Sequence, residues 1–308
     1  RNNHRNHSGN ARKDEEKEQG KGTMIPGRNR ILIVGLGLMG GSYAIALKKK
    51  NYSVGCITLD RDSVDYALEN GIIDYGTTEV DPEIIAGADV IVFALYPHVF
   101  VDWIEKNQKY FRPGTVITDV TGVKSAIVYR IQSMLRPDVE FIAAHPMTGR
   151  EVYGVRNSTD RSFCEANYIV TPTEKNTQGA IELAKELGRD MGFARIVELT
   201  PEKHDEVIAF VSQLAHCIAI TLMTCNGLER LEDFTGNSFR DLTRIAHINE
   251  NMWSELFLLN KNALLNEMEL FARQFEKLKR SIADGDLDTM KDIMRRSTER
   301  RDAFDADK

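Results

Sequence analysis

The sequence predicts an α/β fold, with a doubly wound parallel sheet followed by an all-α C-terminal domain. Three observations predict it. A glycine-rich turn, GLGLMG from Gly35 to Gly40, joins a short apolar run to a helix-like segment. Short apolar runs then alternate with helix-like segments up to about residue 200. Beyond that point apolar residues recur only at helical spacings of three and four. The first part is therefore a Rossmann-type fold.

The glycine turn has the spacing of a dinucleotide-binding fingerprint. It follows a strand-like run over 31–34 and precedes a predicted helix over 42–50. In this fingerprint Gly35 permits a tight turn, Gly37 lets the backbone approach a pyrophosphate, and Gly40 lets the helix pack on the strand. The helix N-terminus offers N–H groups and a positive dipole end to the diphosphate. The expected cofactor-binding residues of this turn are Gly35, Leu36, Gly37, Leu38, Met39 and Gly40.

Asp60 is the acidic residue that we expect to bind the adenosine ribose. It ends the strand-like run over 54–59 and lies 25 residues after Gly35, near the spacing typical of that role. A carboxylate there repels a 2′-phosphate, which favours NAD over NADP. The adjacent Arg61 counts against this preference, because a guanidinium can hold the extra phosphate. The alternative role for Asp60 is the N-cap of a helix that begins at Arg61.

The remaining apolar runs predict the other strands of the sheet, and the segments between them predict helices. Strands of four to six residues that alternate with helices indicate a parallel, doubly wound sheet. Strands are expected over 89–94, 115–119, 141–144, 168–171 and 195–199, and helices over 99–110, 124–134 and 177–189.

The C-terminal third has only helical periodicity, with an apolar helix over 204–225 and a coiled-coil-like seam after it. The members of the seam are Leu264, Met268, Phe271, Phe275, Leu278 and Ile282. The seam is either core within one chain or a contact with a second copy. A helical domain of about a hundred residues gains from a second copy's surface, so we expect a homodimer through these helices. The expected domains are an NAD-binding domain over 24–200 and a helical substrate and dimerisation domain over 201–308.

Composition and charge exclude several protein classes. A net charge of −6 argues against bulk nucleic-acid binding. No signal-peptide pattern is present, and every apolar run of membrane-spanning length is expected to be interrupted by glycine, so we expect a cytoplasmic protein with no membrane partner. The four cysteines have no metal-ligand spacing, which predicts reduced thiols and no metal site. Residues 1–22 contain one apolar residue, Ala11, and residues 1–23 are expected to be a disordered extension.

Two polar groups follow strand ends, where ligands bind in doubly wound sheets. Asp119 opens the segment DVTGVK and is expected to contact the cofactor. His145 opens the segment HPMTGRE directly after a predicted strand. Because Pro146 favours extended geometry in the residue before it, the His145 ring is expected to point out of the strand end. The alternative is a histidine that is hydrogen-bonded within a loop.

Two polar stripes lie on predicted helices of the C-terminal domain. Arg240, Arg244 and His247 share one face of a predicted helix over 239–247. They form either a solvated basic stripe with an internal ion pair or a carboxylate-binding site, since guanidinium offers paired donors to a planar anion. Gln213 and His216 share a stripe on an otherwise apolar helix. Such a pair is either satisfied internally or faces a wet pocket.

Five ordered motifs, spread over both predicted domains, carry a family resemblance. They are GLGLMGGS from Gly35, TDVTGVK from Thr118, HPMTGRE from His145, SQLAH from Ser212 and FRDLTRIA from Phe239. The chain from Ile31 to about Ala303 resembles the prephenate dehydrogenases and the closely related arogenate dehydrogenases. Because the motifs occur in order in both domains, the resemblance covers nearly the whole chain.

The resemblance implies an NAD-dependent oxidative decarboxylation of prephenate to 4-hydroxyphenylpyruvate, on the route to tyrosine. It makes His145 and Arg244 the catalytic residues: His145 hydrogen-bonds the ring hydroxyl and accepts its proton, and Arg244 binds a substrate carboxylate. It makes Glu151 a gating acid at the pocket mouth. The other substrate-binding residues expected are Gln213, His216, Arg240 and Trp253.

One position departs from the family pattern. Gly122 stands where many members carry a serine whose hydroxyl bridges the histidine and the substrate alcohol, so Thr121 or a water would have to substitute.

Three alternatives to a prephenate dehydrogenase stay open. The first is an arogenate dehydrogenase, with arogenate as the substrate. A β-hydroxyacid dehydrogenase or imine reductase is the second, although its lysine before paired asparagines is absent from 201–226. A non-catalytic NAD-sensing protein is the third, and it would be expected to lack His145 or Arg244.

Overall fold

A computed structural model describes residues 30–304, so the extension expected over 1–23 lies outside the described residues. The chain divides into two compact units, with the division between His204 and Asp205. The first unit is α/β and the second is helical, and the predicted fold class is confirmed.

The main sheet of the first unit has six parallel strands. They are β1 (Arg30–Val34), β2 (Ser53–Ile57), β3 (Tyr75–Thr77), β4 (Val90–Phe93), β5 (Val116–Asp119) and β6 (Glu140–Phe141). The strand order is β3-β2-β1-β4-β5-β6, and it reverses direction between β1 and β4, where doubly wound sheets bind ligands. β4 and β5 are buried along their whole length, which explains why strands of this sheet occur in the sequence as continuous apolar runs.

Six α-helices belong to the described part of this unit that precedes residue 200. They are α1 (Leu38–Lys49), α2 (Arg61–Glu69), α3 (Pro82–Gly87), α4 (Pro97–Asn107), α5 (Ser125–Met134) and α6 (Gln178–Asp190). α1 begins four residues earlier than predicted, because Gly40 and Gly41 lie inside the helix. A Cβ on Gly41 would lie 2.2 Å from the Ser158 hydroxyl oxygen, so close packing explains a helical glycine there.

The strand predicted over 141–144 is divided between two sheets. β6 ends at Phe141, and β7 (Ala143–Pro146) pairs antiparallel with β8 (Asn167–Thr171), which pairs in parallel with β9 (Arg195–Glu198). These three strands form a second sheet, whereas the sequence predicted a single one. The N–H of Ile142 still donates to the Ile117 carbonyl oxygen at 3.0 Å, so the chain leaves the first sheet without a turn.

The second unit contains helices and no strand among the described residues 205–304, as predicted. Its helices are α7 (Pro201–Ile208, which begins in the first unit), α8 (Ala215–Thr224), α9 (Asn237–Thr243), α10 (Glu250–Leu259), α11 (Lys261–Ala283) and α12 (Leu287–Asp302). A π-helical segment, Ala209–Leu214, joins α7 to α8. π-Helical turns occur often at functional sites, which draws attention to this part of the unit.

The continuous helical stretch from Pro201 to Thr224 is long and apolar enough to cross a membrane, by length and composition alone. Glycine was expected to interrupt every such run, and that expectation is wrong, because this stretch contains no glycine. Leu214 and Ala219 are buried within the unit, whereas Phe210 and Val211 are exposed. A helix that packs one apolar face in its own unit passes the same test, so composition does not identify a membrane span.

The seam predicted on α11 is buried only at its beginning. Leu264 is 5% exposed, whereas Phe275 and Ile282 are each 61% exposed. Met268 and Phe271 are also exposed, and the rings of Phe271 and Phe275 stack with centroids 6.1 Å apart. Burial within one chain therefore accounts for Leu264 and in part for Leu278, which is half-buried. The rest of the seam is an apolar surface of the kind that marks an interaction site.

We expect Gly40→Ala to lower the melting temperature of the protein by several degrees. An alanine Cβ at this position would lie 2.0 Å from the Gly35 carbonyl oxygen. Overpacking of this kind costs about 1–3 kcal/mol, and each kcal/mol corresponds to roughly 2–4 °C in a protein of this size. Thermal unfolding followed by circular dichroism measures the change. Gly37→Ala is the control, since a Cβ there meets nothing within 4 Å. Equal melting temperatures for the two variants would contradict the packing argument.

Candidate active site

The glycine turn lies between β1 and α1. Gly35 has φ +95°, and a Cβ there would lie 2.4 Å from the Ala94 carbonyl oxygen, so only glycine fits. Gly37 occupies the N-cap position of α1, and among the described residues no side chain caps this helix. The N–H groups of its first turn are therefore left for another acceptor. This arrangement fits the diphosphate of a dinucleotide.

Asp60 is exposed after β2, at the N-cap position of α2. Its carboxylate accepts a hydrogen bond from the Ser63 hydroxyl and, among the described residues, makes no capping bond to the helix backbone. Arg61 pairs with Asp65 one turn along α2, with a nitrogen–oxygen distance of 2.8 Å. Asp60 is thus accessible to a ribose, while the guanidinium that counted against NAD has a carboxylate partner of its own.

Asp119 and Lys124 form a fully buried ion pair at the end of β5, 2.7 Å apart. The Asp119 carboxylate also accepts hydrogen bonds from the Thr121 hydroxyl and from the Ala144 N–H, the latter at 3.1 Å. Both of its oxygens therefore have partners inside the protein. The carboxylate is thus engaged within the first unit, and the predicted contact of Asp119 with the cofactor stays a prediction.

The same contacts bear on the serine that Gly122 replaces. The Thr121 hydroxyl is buried against the Asp119 carboxylate and lies 3.0 Å from the Val123 carbonyl oxygen. A hydroxyl held by these internal partners is not placed to take over the role of the family serine.

His145 lies in β7, in the extended conformation that Pro146 predicts. Its Nδ1 lies 2.9 Å from Nε2 of His204, which is fully buried on the first turns of α7. Burial, His204 and the ammonium of Lys124 together lower the pKa of His145 well below its usual range. His145 is therefore neutral near pH 7, the state in which an imidazole accepts a proton.

Sequence reasoning missed the two residues that surround His145. His204 lies 59 positions from it in the chain, and no motif links the two. The available signal was a histidine near the start of an apolar helix. Lys124 lies inside the motif TDVTGVK, and its signal was a lysine directly after a predicted strand and turn. Within residues 30–304, no group of three or more His, Cys, Asp or Glu side chains is arranged to hold a metal ion.

Glu151 is half-buried in the loop that follows β7. This loop is tied to α1 by hydrogen bonds, one of them from the Lys49 ammonium to the Asp160 carboxylate at 2.5 Å. The Ser158 hydroxyl donates to the Leu38 carbonyl oxygen at 3.0 Å, and the Thr159 N–H donates to the Ser42 hydroxyl at 3.1 Å. The loop that carries the predicted gating acid is therefore anchored on the helix that begins at the glycine turn.

Gln213 is buried in the π-helical segment of the second unit. Its side-chain nitrogen donates to the Leu256 carbonyl oxygen at 3.2 Å, and its side-chain oxygen accepts from the Asn260 amide at 2.8 Å. Of the two alternatives for this residue, the contacts match internal satisfaction. Gln213 thus joins this segment to α10 and to Asn260, and its predicted contact with the substrate stays a prediction.

His216 and Trp253, both predicted pocket residues, lie together in the second unit. Their ring centroids are 3.7 Å apart, with the ring planes 31° from parallel. The His216 Nδ1 lies 2.9 Å from the Ser212 carbonyl oxygen. Both residues are half-buried, so each ring keeps part of its surface exposed.

The predicted helix over 239–247 is wrong in its second half. α9 ends at Thr243, a 3-10 turn covers Arg244–Ala246, and His247 is extended. Arg240 and Arg244 are both exposed, and the Arg240 Nε donates to the Thr235 hydroxyl at 3.3 Å. His247 consequently does not share a helical face with the two arginines.

Two family models match the chain in sequence order. The nucleotide-binding domain of prephenate dehydrogenase matches residues 43–198, and its dimerization domain matches residues 200–296. The chain belongs to the prephenate dehydrogenase family. This confirms the family resemblance that the sequence motifs carry. It also makes the protein an oxidoreductase of this family.

Individual relatives agree with the family but differ in the substrate that they are named for. A prephenate dehydrogenase of Bacillus subtilis is 29% identical over 284 residues, which cover 90% of this chain and 76% of the relative. A cyclohexadienyl dehydrogenase of Zymomonas mobilis is 27% identical over 285 residues, which cover 90% and 96%. The crystal structure of Aquifex aeolicus prephenate dehydrogenase with hydroxyphenyl propionate and NAD+ has a TM-score of 0.82 at 28% identity, covering 90% of this chain and 98% of that one. The NAD+ in that structure agrees with the predicted cofactor.

Proposed function

We propose that this protein is an NAD-dependent prephenate dehydrogenase, which converts prephenate to 4-hydroxyphenylpyruvate in the cytoplasm. The observation that carries the proposal is the neutral, extended His145, hydrogen-bonded to His204 at 2.9 Å. Relatives named prephenate dehydrogenase in Bacillus subtilis and Lactococcus lactis support it.

In the proposed reaction, His145 accepts the proton of the ring hydroxyl while the carbon that bears it is oxidised. NAD, held by the glycine turn and Asp60, supplies the acceptor for the hydride from that carbon. Cleavage of the bond to the ring carboxylate then releases carbon dioxide, and its electron pair completes the aromatic ring. The oxygen becomes a phenol when a proton returns to it. General base catalysis by a positioned imidazole contributes about 10²–10⁴-fold.

His204 determines which nitrogen of His145 is the base. When the His145 Nδ1 carries the hydrogen and donates it to the His204 Nε2, the lone pair of the His145 Nε2 is left to accept the substrate proton. The partner in this pair is another imidazole. It orients the ring as the third group of a catalytic triad does, without bringing a negative charge of its own.

The substrate-binding part of the proposal assigns a substrate carboxylate to Arg244, with Arg240 as a second cation. Guanidinium provides two parallel donors to a carboxylate, and both side chains are exposed on their unit. His216 and Trp253 offer a ring pair that can contact the cyclohexadiene, and Glu151 is proposed as the gating acid.

Arogenate is the second candidate substrate, because the Zymomonas mobilis relative is named a cyclohexadienyl dehydrogenase. Arogenate differs from prephenate in carrying an amino group where prephenate has a keto group, and the same residues would bind it.

Turnover of prephenate and of arogenate, each measured with NAD+ and with NADP+, decides between the four pairs of substrate and cofactor. We expect the highest kcat/KM for prephenate with NAD+. The absence of turnover with all four pairs would refute the proposed function and favour an NAD-sensing protein.

The proposed assembly is a homodimer formed through the C-terminal helices. The matched model is a dimerization domain, and the exposed part of the α11 seam lies within it. A second copy of the same seam would remove these apolar side chains from water.

His145→Asn should lower kcat by about 10²–10⁴-fold and change KM little, since the base is lost while a polar side chain remains. In the wild type, the lowered pKa of His145 places the acidic limb of the kcat/KM profile, which reports the free enzyme, below the usual histidine range, because the base is active only when neutral. The variant should lose that limb. Steady-state kinetics across pH measures both effects, with retained NAD+ binding as the control for folding. A variant with near wild-type turnover would remove His145 from the mechanism.

Arg244→Gln should raise the KM for prephenate by about 10- to 100-fold and leave kcat nearly unchanged. A hydrogen bond between charged groups contributes roughly 1.5–3 kcal/mol, which corresponds to this range. Arg295→Gln is a matched control, because Arg295 is also exposed in the second unit and pairs with Asp292 at 3.6 Å. Equal KM values for the two variants would show that Arg244 does not bind the substrate.

Phe275→Glu should convert the dimer to monomers, because a carboxylate buried in an apolar contact without a partner costs several kcal/mol. Light scattering after size exclusion should give twice 34.8 kDa for the wild type and about half that mass for the variant. Lys277→Glu places the same charge on the same helix outside the seam and should remain dimeric. A dimeric Phe275→Glu variant would mean that the interface lies elsewhere.

A further inference from the structure

We propose that the buried Asp119–Lys124 pair is a positioning device for His145. It holds the peptide groups that lead into His145, and it keeps a fixed positive charge near the ring. The inference rests on the proposed function, in which His145 is the base. It assigns to Asp119 and Lys124 a role that acts through another residue.

The first observation is the set of acceptors around Lys124. Its ammonium lies 2.7 Å from an Asp119 carboxylate oxygen, 2.6 Å from the Ala144 carbonyl oxygen and 3.3 Å from the Thr121 hydroxyl. An ammonium has three N–H donors, so each of these acceptors can receive one. The side chain is fully buried, and these contacts fix the position of its ammonium.

The second observation is that the pair holds Ala144 from both sides. The Ala144 N–H donates to the Asp119 carboxylate at 3.1 Å, and the Ala144 carbonyl accepts from Lys124. That carbonyl belongs to the peptide bond with His145. β5 and β7 lie in different sheets, so no strand ladder between them sets the position of this peptide. The ion pair makes the connection instead.

The third observation is electrostatic. The titratable groups that act on His145 include His204 on α7 and Lys124, whose partner Asp119 ends β5; the buried Tyr168 of β8 pairs with the next residue, Pro146. Burial is the largest cause of the lowered pKa of His145, followed by His204 and then by the ammonium of Lys124. The positive charge of Lys124 disfavours a positive charge on the His145 ring. A lysine that only held the backbone would not need to be charged, whereas this one also favours the neutral base.

A buried ion pair can instead be purely structural, and replacing both partners by uncharged residues of similar size is then often harmless. The decisive measurement must therefore report on His145. We choose Lys124→Met, which keeps the stem and removes the charge, and the double variant Asp119→Asn/Lys124→Met, which leaves no unpaired charge. Lys48→Met is the matched control, because Lys48 forms a surface pair with Asp74 at 2.5 Å in the same unit.

The experiment combines nuclear magnetic resonance of ¹⁵N-histidine-labelled protein without substrate, steady-state kinetics across pH, and NAD+ titration. The His145 signals are identified by their loss in His145→Asn. In both Lys124 variants we expect His145 to titrate at higher pH than in the wild type. The acidic limb of the kcat/KM profile should move in the same direction, and kcat should fall about 10-fold or more. KM and the NAD+ affinity should stay within about twofold of the wild type, and Lys48→Met should match it throughout.

A folded double variant whose His145 titration and kcat equal those of the wild type would overturn the inference. Failure of both Lys124 variants to fold would overturn it too, because the pair would then be required for folding and not for placing the base. The proposed function fails separately, if the wild type turns over neither prephenate nor arogenate. In that case the resonance titration, which needs no substrate, still decides whether Lys124 controls the protonation of His145.

Discussion

The fully buried ion pair between Asp119 and Lys124 is the interaction on which the arrangement around His145 depends. Losing one partner of a buried ion pair leaves an uncompensated charge and costs about 3–5 kcal/mol, so Asp119 and Lys124 depend on each other. Their other hydrogen bonds go to Thr121 and to both sides of Ala144. The end of one sheet is thereby joined to the first strand of the other. The position of His145 follows from this junction.

The glycine turn and His145 lie in the same unit, but their surroundings differ in how far they are buried and paired. At the start of α1 the N–H groups have no side-chain cap, which suits an anion that arrives from outside. Around His145 the neighbouring polar groups are buried and already paired, which suits a base that must stay neutral until it receives a proton. A charged ligand and a proton acceptor can thus be accommodated in one α/β unit because their surroundings differ in exposure.

The strands and helices were predictable where one spacing of apolar residues dominated the local sequence. The runs over 31–34 and 89–94 correspond to β1 and β4 because both faces of these strands are buried. The run over 141–144 is equally apolar, yet the chain changes sheets at Ile142. That change depends on which strand lies alongside, and no local pattern records it. The end of α9 at Thr243 was missed for a related reason, since the following residues keep helical spacing in a 3-10 turn.

The site was predictable at the level of motifs and less so at the level of partners. A polar residue in a motif looks the same whether it binds a ligand or another side chain. The segment TDVTGVK illustrates this, because its Asp119, Thr121 and Lys124 bond to one another and to Ala144. Its position after a strand end predicts cofactor binding, which stays a prediction, whereas the structure shows these side chains buried and paired with one another. The motif therefore bears on the reaction through the residue that it supports, and only the three-dimensional neighbours of Ala144 reveal that residue as His145.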